Sequence, residues 1–149
     1  MKILFVCRRN HGRSQLAEAL FEKFAKGKHQ VSSVGTEVIR EGANREGEKI
    51  SDQQIIAAMK ELGIDISEKV RNQLTPQMVE EADYIIVTAQ PESIPDYLKQ
   101  SPKAIFWEIK DTGEIPYDEV KIIRDQLKTL IKKFIQTLDE KKIKPWKVS

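Results

Sequence analysis

Short apolar runs alternate along the chain with longer segments of helical periodicity, and this alternation is the strongest constraint on the fold. The first apolar run, residues 2–6, reads KILFV. After a polar loop, residues 14–26 place apolar side chains every three or four positions, as on one face of a helix. Further strand-like runs cover residues 30–34, 84–87 and 103–107. Strands separated by helices predict an α/β fold with a parallel sheet covered on both faces.

Capping signals and apolar spacing predict three further helices. Ser51 begins a capping-box pattern, S-x-x-Q, which predicts a helix over residues 51–62. Thr75 precedes a proline and predicts a short helix, because threonine caps a helix and proline is tolerated in its first turn. Apolar residues at helical spacing predict a long last helix over residues 117–138. The polar stretch of residues 37–49 is predicted to be an exposed loop.

Length and composition favour one soluble domain, residues 1–149, that can bury a core. The net charge of +2 gives no argument for nucleic acid or a membrane as partner. No apolar stretch approaches the ~18 residues of a membrane span, and the apolar run behind the N-terminus is too short for a signal peptide. One cysteine excludes an internal disulfide and favours a reducing compartment. We therefore expect a cytoplasmic protein whose basic tail, residues 141–149, is loose at its end.

The loop between the first strand and the first helix carries the chemistry, and it reads CRRNHGRS. Cys7 ends the strand, and Arg13 follows six residues later at the start of the helix. Such a loop can turn its backbone N–H groups inward beside the positive end of the helix dipole, which makes a cradle for a tetrahedral anion. Arg13 can add two parallel donors. The predicted phosphate-binding residues are Arg8, Arg9, Asn10, His11, Gly12, Arg13 and Ser14.

Cys7 is predicted to be the nucleophile of this site. The helix N-terminus and the nearby cations favour its thiolate, and Ser14 is placed to donate a hydrogen bond to the sulfur. Taken alone, a cysteine after a buried strand is most often a small apolar core residue, and the arginines could form a solvated surface cluster. The full combination of strand, cysteine, five residues, arginine, serine and helix is much rarer by chance, and it favours an anion site.

The loop and several later segments resemble the low-molecular-weight protein tyrosine phosphatases and the arsenate reductases built on the same fold. The signature of that superfamily is a cysteine, five residues, an arginine and a serine or threonine, and residues 7–14 match it. Residues 14–18 (SQLAE) resemble the first helix of the arsenate reductase branch. Residues 33–36, 62–66 and 82–87 also resemble family segments in their places, so that the resemblance covers nearly the whole chain.

The resemblance implies a fold and a set of catalytic roles. The implied fold is a three-layer, flavodoxin-like sandwich in which helices flank a four-stranded parallel sheet. Cys7 would be the nucleophile, Arg13 the anion clamp, and an aspartate on a late loop the general acid. Asp111 is the candidate for that acid, with Asp118 and Glu114 in reserve.

The resemblance also implies a metal-free mechanism through a cysteinyl-phosphate, in which loop amides and arginine neutralise the oxygens. Ser33 would support Asn10 and hold the loop rigid. We expect neither a metal nor a cofactor.

The chain departs from the family pattern at four places. Arg9 stands where the family usually has glycine, and Gly12 where the phosphatases usually have a second cysteine. Residues 89–90, Ala-Gln, replace a cysteine of the thioredoxin-coupled arsenate reductases, whose relay needs three cysteines in one chain. Thr112 replaces the proline that usually follows the catalytic aspartate, here Asp111.

The leading prediction is a cysteine-dependent phosphomonoester hydrolase of the tyrosine phosphatase type, acting on a phosphorylated protein or a small phosphomonoester. Residues 37–49 contain no aromatic side chain to stack on a phosphotyrosine ring, which weakens phosphotyrosine as the natural substrate. The alternatives are an arsenate reductase that uses an external thiol or redoxin, and a non-catalytic phosphate- or phosphoprotein-binding module.

Overall fold

The computed structural model describes residues 1–143, with backbone only for residues 141–143. Of the tail that was expected to be loose, residues 141–149, only the backbone of residues 141–143 lies within the described part. The elements in chain order are β1 (Lys2–Cys7), α1 (Arg13–Ala25), β2 (Gln30–Gly35), β3 (Ile39–Arg40), β4 (Ala43–Asn44), α2 (Gln53–Lys60), α3 (Pro76–Glu81), β5 (Tyr84–Val87), a 3-10 turn (Pro91–Ser93), α4 (Asp96–Lys99), β6 (Ala104–Phe106) and α5 (Tyr117–Ile143).

Four of the strands form one parallel sheet in the order β2-β1-β5-β6. β1 lies inside the sheet, and its last residue, Cys7, pairs with Gly35 at the end of β2. Cys7 therefore stands at the carboxyl edge of the sheet, where α/β proteins bind their ligands.

Alternating side chains of β1 face two separate cores. Ile3 and Phe5 pack with α1, α2 and α5 on one face. Leu4 and Val6 pack with α3 and α4 on the other. Because successive strand residues point to opposite faces, a strand with both faces covered reads as a continuous apolar run. The predicted three-layer sandwich with a four-stranded parallel sheet is confirmed.

The predicted capping box at Ser51 is wrong. Helix α2 begins at Gln53, and its cap is Asp52, whose carboxylate accepts from the backbone N–H groups of Gln54 at 2.9 Å and Ile55 at 3.3 Å. The Ser51 hydroxyl and amide instead contact His11. A tertiary contact thus decides between two neighbouring residues that can both cap a helix.

Several elements differ from the prediction in extent. The stretch of residues 37–49, predicted as loop, contains the two-residue strands β3 and β4. The 3-10 turn and α4 were not predicted, because segments of three and four residues show no periodicity. The last helix continues to Ile143 rather than ending at residue 138, and β6 is shorter than the predicted strand. No described helix combines the length and apolar character that crossing a bilayer requires.

Candidate active site

The loop from Cys7 to Arg13 is packed tightly against the end of β2. Asn10 adopts a left-handed backbone with φ of 53°, a conformation that asparagine tolerates. A Cβ atom on Gly35 would lie 2.7 Å from the backbone nitrogen of Asn10 and 2.8 Å from the carbonyl oxygen of Arg8. Because both contacts are with backbone, only glycine at position 35 lets the loop come this close.

Asn10 is the centre of a buried hydrogen-bond network beneath the loop. Its Nδ2 donates to the hydroxyl of Ser14 at 2.8 Å and to that of Ser33 at 3.0 Å. Its backbone N–H donates to Sγ of Cys7 at 3.2 Å, and the Ser14 hydroxyl lies 2.9 Å from the same sulfur. Ser33, predicted to support Asn10, thus contacts it, and Asn10 and Ser14 lie behind the loop rather than on the pocket surface.

The network continues to Glu18, which the sequence reasoning did not select. The Ser33 hydroxyl donates to Oε1 of Glu18 at 2.8 Å. Burial raises the pKa of Glu18, and the opposing attraction of Lys69, 3.5 Å away, does not cancel that rise. The Asn10 network is thus anchored on Glu18 of α1, whose raised pKa favours its protonated form more than in an exposed glutamate.

Arg13 is buried and held by the ends of neighbouring segments. Its Nη1 donates to the carbonyl oxygens of Thr88 at 2.7 Å and Ile109 at 3.3 Å, and its Nη2 donates to Oε1 of Gln90 at 3.0 Å. Gln90 in turn reaches Asp111, with 3.5 Å between Nε2 and Oδ2. Gln90, one of the departures from the family pattern, therefore lies between the anion clamp and the candidate acid.

One pocket of about 370 Å³ opens over the loop and collects most of the predicted site. Cys7 lies in it together with Asp111 and Glu114, whereas Asp118 points away and pairs with Lys121 on the surface of α5. Asp52, which the sequence reasoning did not select, adds another carboxylate. The residues lining the pocket are Cys7, Arg8, Arg9, His11, Gly12, Arg13, Asp52, Asp111, Thr112, Gly113 and Glu114.

The cations of the loop are partly compensated. Arg8 forms an ion pair with Glu37 at 2.7 Å, and this hydrogen bond raises the pKa of Arg8. Arg9 is exposed, and its carbonyl oxygen accepts from Nε of Arg71 at 3.1 Å. Arg71, which lies outside the loop, therefore holds the loop at Arg9, the position where the family usually has glycine.

His11 is held in its neutral form. The backbone N–H of Ser51 donates to its Nε2 at 3.1 Å, which requires an unprotonated nitrogen. Burial lowers the pKa of His11, and the charge of Arg71 lowers it further.

Gly12 and Thr112 meet across the pocket. A Cβ atom on Gly12 would lie 2.1 Å from Oγ1 of Thr112. Two of the positions that depart from the family pattern are thus in direct contact.

Within residues 1–143, no group of three or more His, Cys, Asp or Glu side chains is placed to hold a metal ion.

Residues 2–144 match the sequence profile of the family described as low molecular weight phosphotyrosine protein phosphatase. The chain belongs to this family. It is an enzyme family, whose relatives include phosphatases and arsenate reductases. Arsenate reductase 2 of Staphylococcus epidermidis is 32% identical over 133 residues, which cover 89% of this chain and 94% of that protein.

Two solved structures support the family fold. The low molecular weight protein tyrosine phosphatase from T. tengcongensis matches with a TM-score of 0.75 at 27% identity, covering 92% of this chain and 99% of that one. The YwlE arginine phosphatase from Geobacillus stearothermophilus matches with a TM-score of 0.79 at 24% identity, covering 97% and 96%. The second likeness concerns the fold alone.

Proposed function

We propose that the chain is a cysteine-dependent phosphohydrolase that acts through a cysteinyl-phosphate. The observation that supports it best is that Asp111, which is distant in the sequence, lines the same pocket as Cys7 and Arg13. A non-catalytic phosphate-binding module needs the cradle but has no use for a carboxylate beside it. The position of Asp111 therefore favours catalysis over binding alone.

The proposed first step forms a bond between sulfur and phosphorus. The thiolate of Cys7 attacks phosphorus, the bond from phosphorus to the leaving oxygen breaks, and Asp111 in its acid form gives that oxygen a proton. Loop amides and Arg13 neutralise the equatorial oxygens. In the second step Asp111 takes a proton from water, the water oxygen attacks phosphorus, and the sulfur leaves as thiolate with release of inorganic phosphate.

Arsenate reduction is the second candidate, because the sequence relative at 32% identity is an arsenate reductase. Arsenate and phosphate are similar tetrahedral anions, and the cradle suits both. Cys7 is the one cysteine of the chain, so the two electrons for reduction must come from an external thiol or redoxin.

The substrate class is proposed from the pocket lining. None of the described residues that line the pocket is Phe, Tyr or Trp, so that a phosphotyrosine ring finds no large aromatic side chain to stack on there. Three carboxylates, from Asp52, Asp111 and Glu114, line it instead. Small phosphomonoesters and phosphoarginine therefore belong in the substrate panel beside a phosphotyrosine peptide, the second because a protein of the same fold is an arginine phosphatase.

Hydrolysis of para-nitrophenyl phosphate across pH tests the proposal. We expect Cys7→Ser to abolish turnover and Asp111→Asn to lower kcat by about 10²- to 10⁴-fold, the usual contribution of a general acid. Asp118→Asn is the matched control, because it makes the same change outside the pocket. A wild type that binds phosphate without hydrolysing any compound of the panel contradicts the proposal. Arsenite formation from arsenate plus a thiol would then indicate the reductase, and its absence the binding module.

A further inference from the structure

The contact between Gly12 and Thr112 joins the two loops on which the proposed chemistry depends. Gly12 lies in the loop of Cys7 and caps α1, whereas Thr112 directly follows Asp111. The 2.1 Å between an added Cβ atom and Oγ1 of Thr112 is far below the 3.0 Å that real Cβ atoms keep. Its distance to Cβ of Thr112 is 3.5 Å, an ordinary contact, so the conflict is with the hydroxyl end alone.

Thr112 is also the anchor of its own segment. Within residues 110–119, all of which the structure describes, it alone is buried, with 2% of its surface exposed. Asp111 beside it is exposed, and its Oδ1 accepts from the backbone N–H of Gly113 at 3.1 Å, a bond inside the same loop. The side chain of Thr112 is therefore the buried anchor of this loop near the sulfur.

We propose that Thr112 is a positioning residue that docks the loop of Asp111 onto the loop of Cys7, and that it can do so only while residue 12 is glycine. This inference rests on the proposed hydrolase function. The φ of Gly12 is −137°, outside the left-handed region, and the space beside its Cα atom is taken by Thr112. The two departures from the family pattern are then coupled, because a side chain at position 12 would meet the hydroxyl that Thr112 places there.

The loop of Asp111 is the one that yields when the contact is disturbed. The loop of Cys7 is held by the Asn10 network and by the close approach of Gly35. The loop of Asp111 is more exposed, and besides Thr112 it is held by a 3.5 Å contact from Gln90 to Asp111 and by a bond from Nε2 of Gln54 to the carbonyl oxygen of Ile115 at 2.8 Å. A side chain at position 12 therefore displaces the acid and leaves the anion cradle in place.

A double-mutant cycle tests the inference with the wild type, Gly12→Ala, Thr112→Ala and the combined variant. We expect Gly12→Ala to lower kcat/KM on the order of 10²-fold, because a misplacement of about 1 Å can cost that much. Adding Thr112→Ala should restore about tenfold of the loss, because the remaining contact between the two Cβ positions is an ordinary 3.5 Å. Any loss of activity that alanine causes through the backbone conformation at position 12 is present in Gly12→Ala and in the combined variant. It therefore cancels when these two variants are compared.

Two further measurements show whether the change displaces Asp111 alone or disturbs the whole site. Phenyl phosphate, whose leaving group needs the proton, should lose more activity in Gly12→Ala than para-nitrophenyl phosphate, whose leaving group needs it less. Inhibition by inorganic phosphate should change only about twofold to threefold, because the cradle stays intact. Thermal unfolding confirms that every variant is folded.

The outcomes separate the two proposals. Additive effects of the two changes, equal losses on both esters, or a Gly12→Ala variant with normal activity overturn the positioning role while the hydrolase function stands. Loss of phosphate inhibition in a folded Gly12→Ala variant also overturns it, because the Cys7 loop would then be the one that moves. A wild type that binds phosphate and hydrolyses neither these esters nor the rest of the substrate panel overturns the hydrolase function and the positioning role together.

Discussion

The Nδ2 atom of Asn10 donates to the hydroxyl of Ser14, and this bond fixes the direction of the next one, from Ser14 to Cys7. The orientation of the Asn10 amide is fixed in turn, because its Oδ1 accepts from the backbone N–H of Asn72 at 2.8 Å. The hydroxyl hydrogen of Ser14 therefore points to the sulfur. Cys7 accepts from this hydroxyl and from the N–H of Asn10, an arrangement that suits a thiolate better than a thiol.

Replacing Ser14 with alanine removes one of the two donors to the sulfur. Hydrogen bonds to charged groups contribute about 1.5–3 kcal/mol, so we expect kcat/KM to fall by about 10- to 100-fold. The rate of Cys7 alkylation by iodoacetamide checks the cause, because it reports on the sulfur alone and needs no bound phosphate. Ser33→Ala is the matched control, since it acts one bond further from the sulfur and should cost less. Equal effects of the two changes would contradict the prediction.

Replacing Gly35 with alanine should disturb the same loop from β2. Its Cβ atom would meet backbone atoms of Asn10 and Arg8 below 3 Å, and backbone cannot turn aside. Overpacking of this kind costs about 1–3 kcal/mol of unfolding free energy, which urea unfolding measures. Ser32→Ala, in the same strand as Gly35, is the control. Gly42→Ala would not serve, because the positive φ of Gly42 would itself strain an alanine. Normal stability and activity of Gly35→Ala would show that the loop is looser than described.

The sequence predicted the cradle more fully than the rest of the pocket, for a physical reason. Cys7 and Arg13 lie in one short segment, so their spacing alone indicates the site. Asp52, Gln90 and Thr112 come from three other segments that only the folded sheet brings together. No local pattern marks them, although Thr112 and Gln90 stood out as departures from the family.

Protonation of His11 should destabilise the folded protein. Its pKa is lowered in the fold, first by burial and then by Arg71, so the neutral ring is favoured. The resulting stability is complete above the unfolded pKa of ~6.5 and is lost as pH falls through the lowered folded pKa. In His11→Gln this acidic loss should disappear, as measured by urea unfolding across pH. An NMR titration in which the His11 ring protonates above the pKa of an exposed histidine would contradict this.

Glu18 should give the opposite pH dependence. Its pKa is raised in the fold, first by burial, while Lys69 and Ser33 oppose the rise. The protonated form is therefore favoured, and its contribution to stability is complete below the unfolded pKa of ~4.3 and is lost as pH rises through the folded pKa. The difference in unfolding free energy between the wild type and Glu18→Gln should shrink over that interval. A difference that grows with pH would show that the ion pair with Lys69 prevails over burial.

Oxidation of Cys7 by peroxide should become irreversible quickly. A sulfenic acid is protected when a neighbouring thiol traps it as a disulfide, and Gly12 and Thr112 leave neither a thiol nor the space for one at position 12. We expect a brief peroxide dose to be reversed by dithiothreitol and a larger dose to leave sulfinic acid and permanent loss of activity.

The combined change Gly12→Cys with Thr112→Ala supplies the thiol and removes the hydroxyl that obstructs it. This variant should regain activity with dithiothreitol after doses that inactivate the wild type permanently, because its sulfenic acid can close to a disulfide. Gly12→Cys alone is the control, since Thr112 still occupies the space that the new side chain needs. Full recovery of the wild type after the larger dose would mean that Cys7 is shielded from further oxidation by its surroundings and needs no second cysteine.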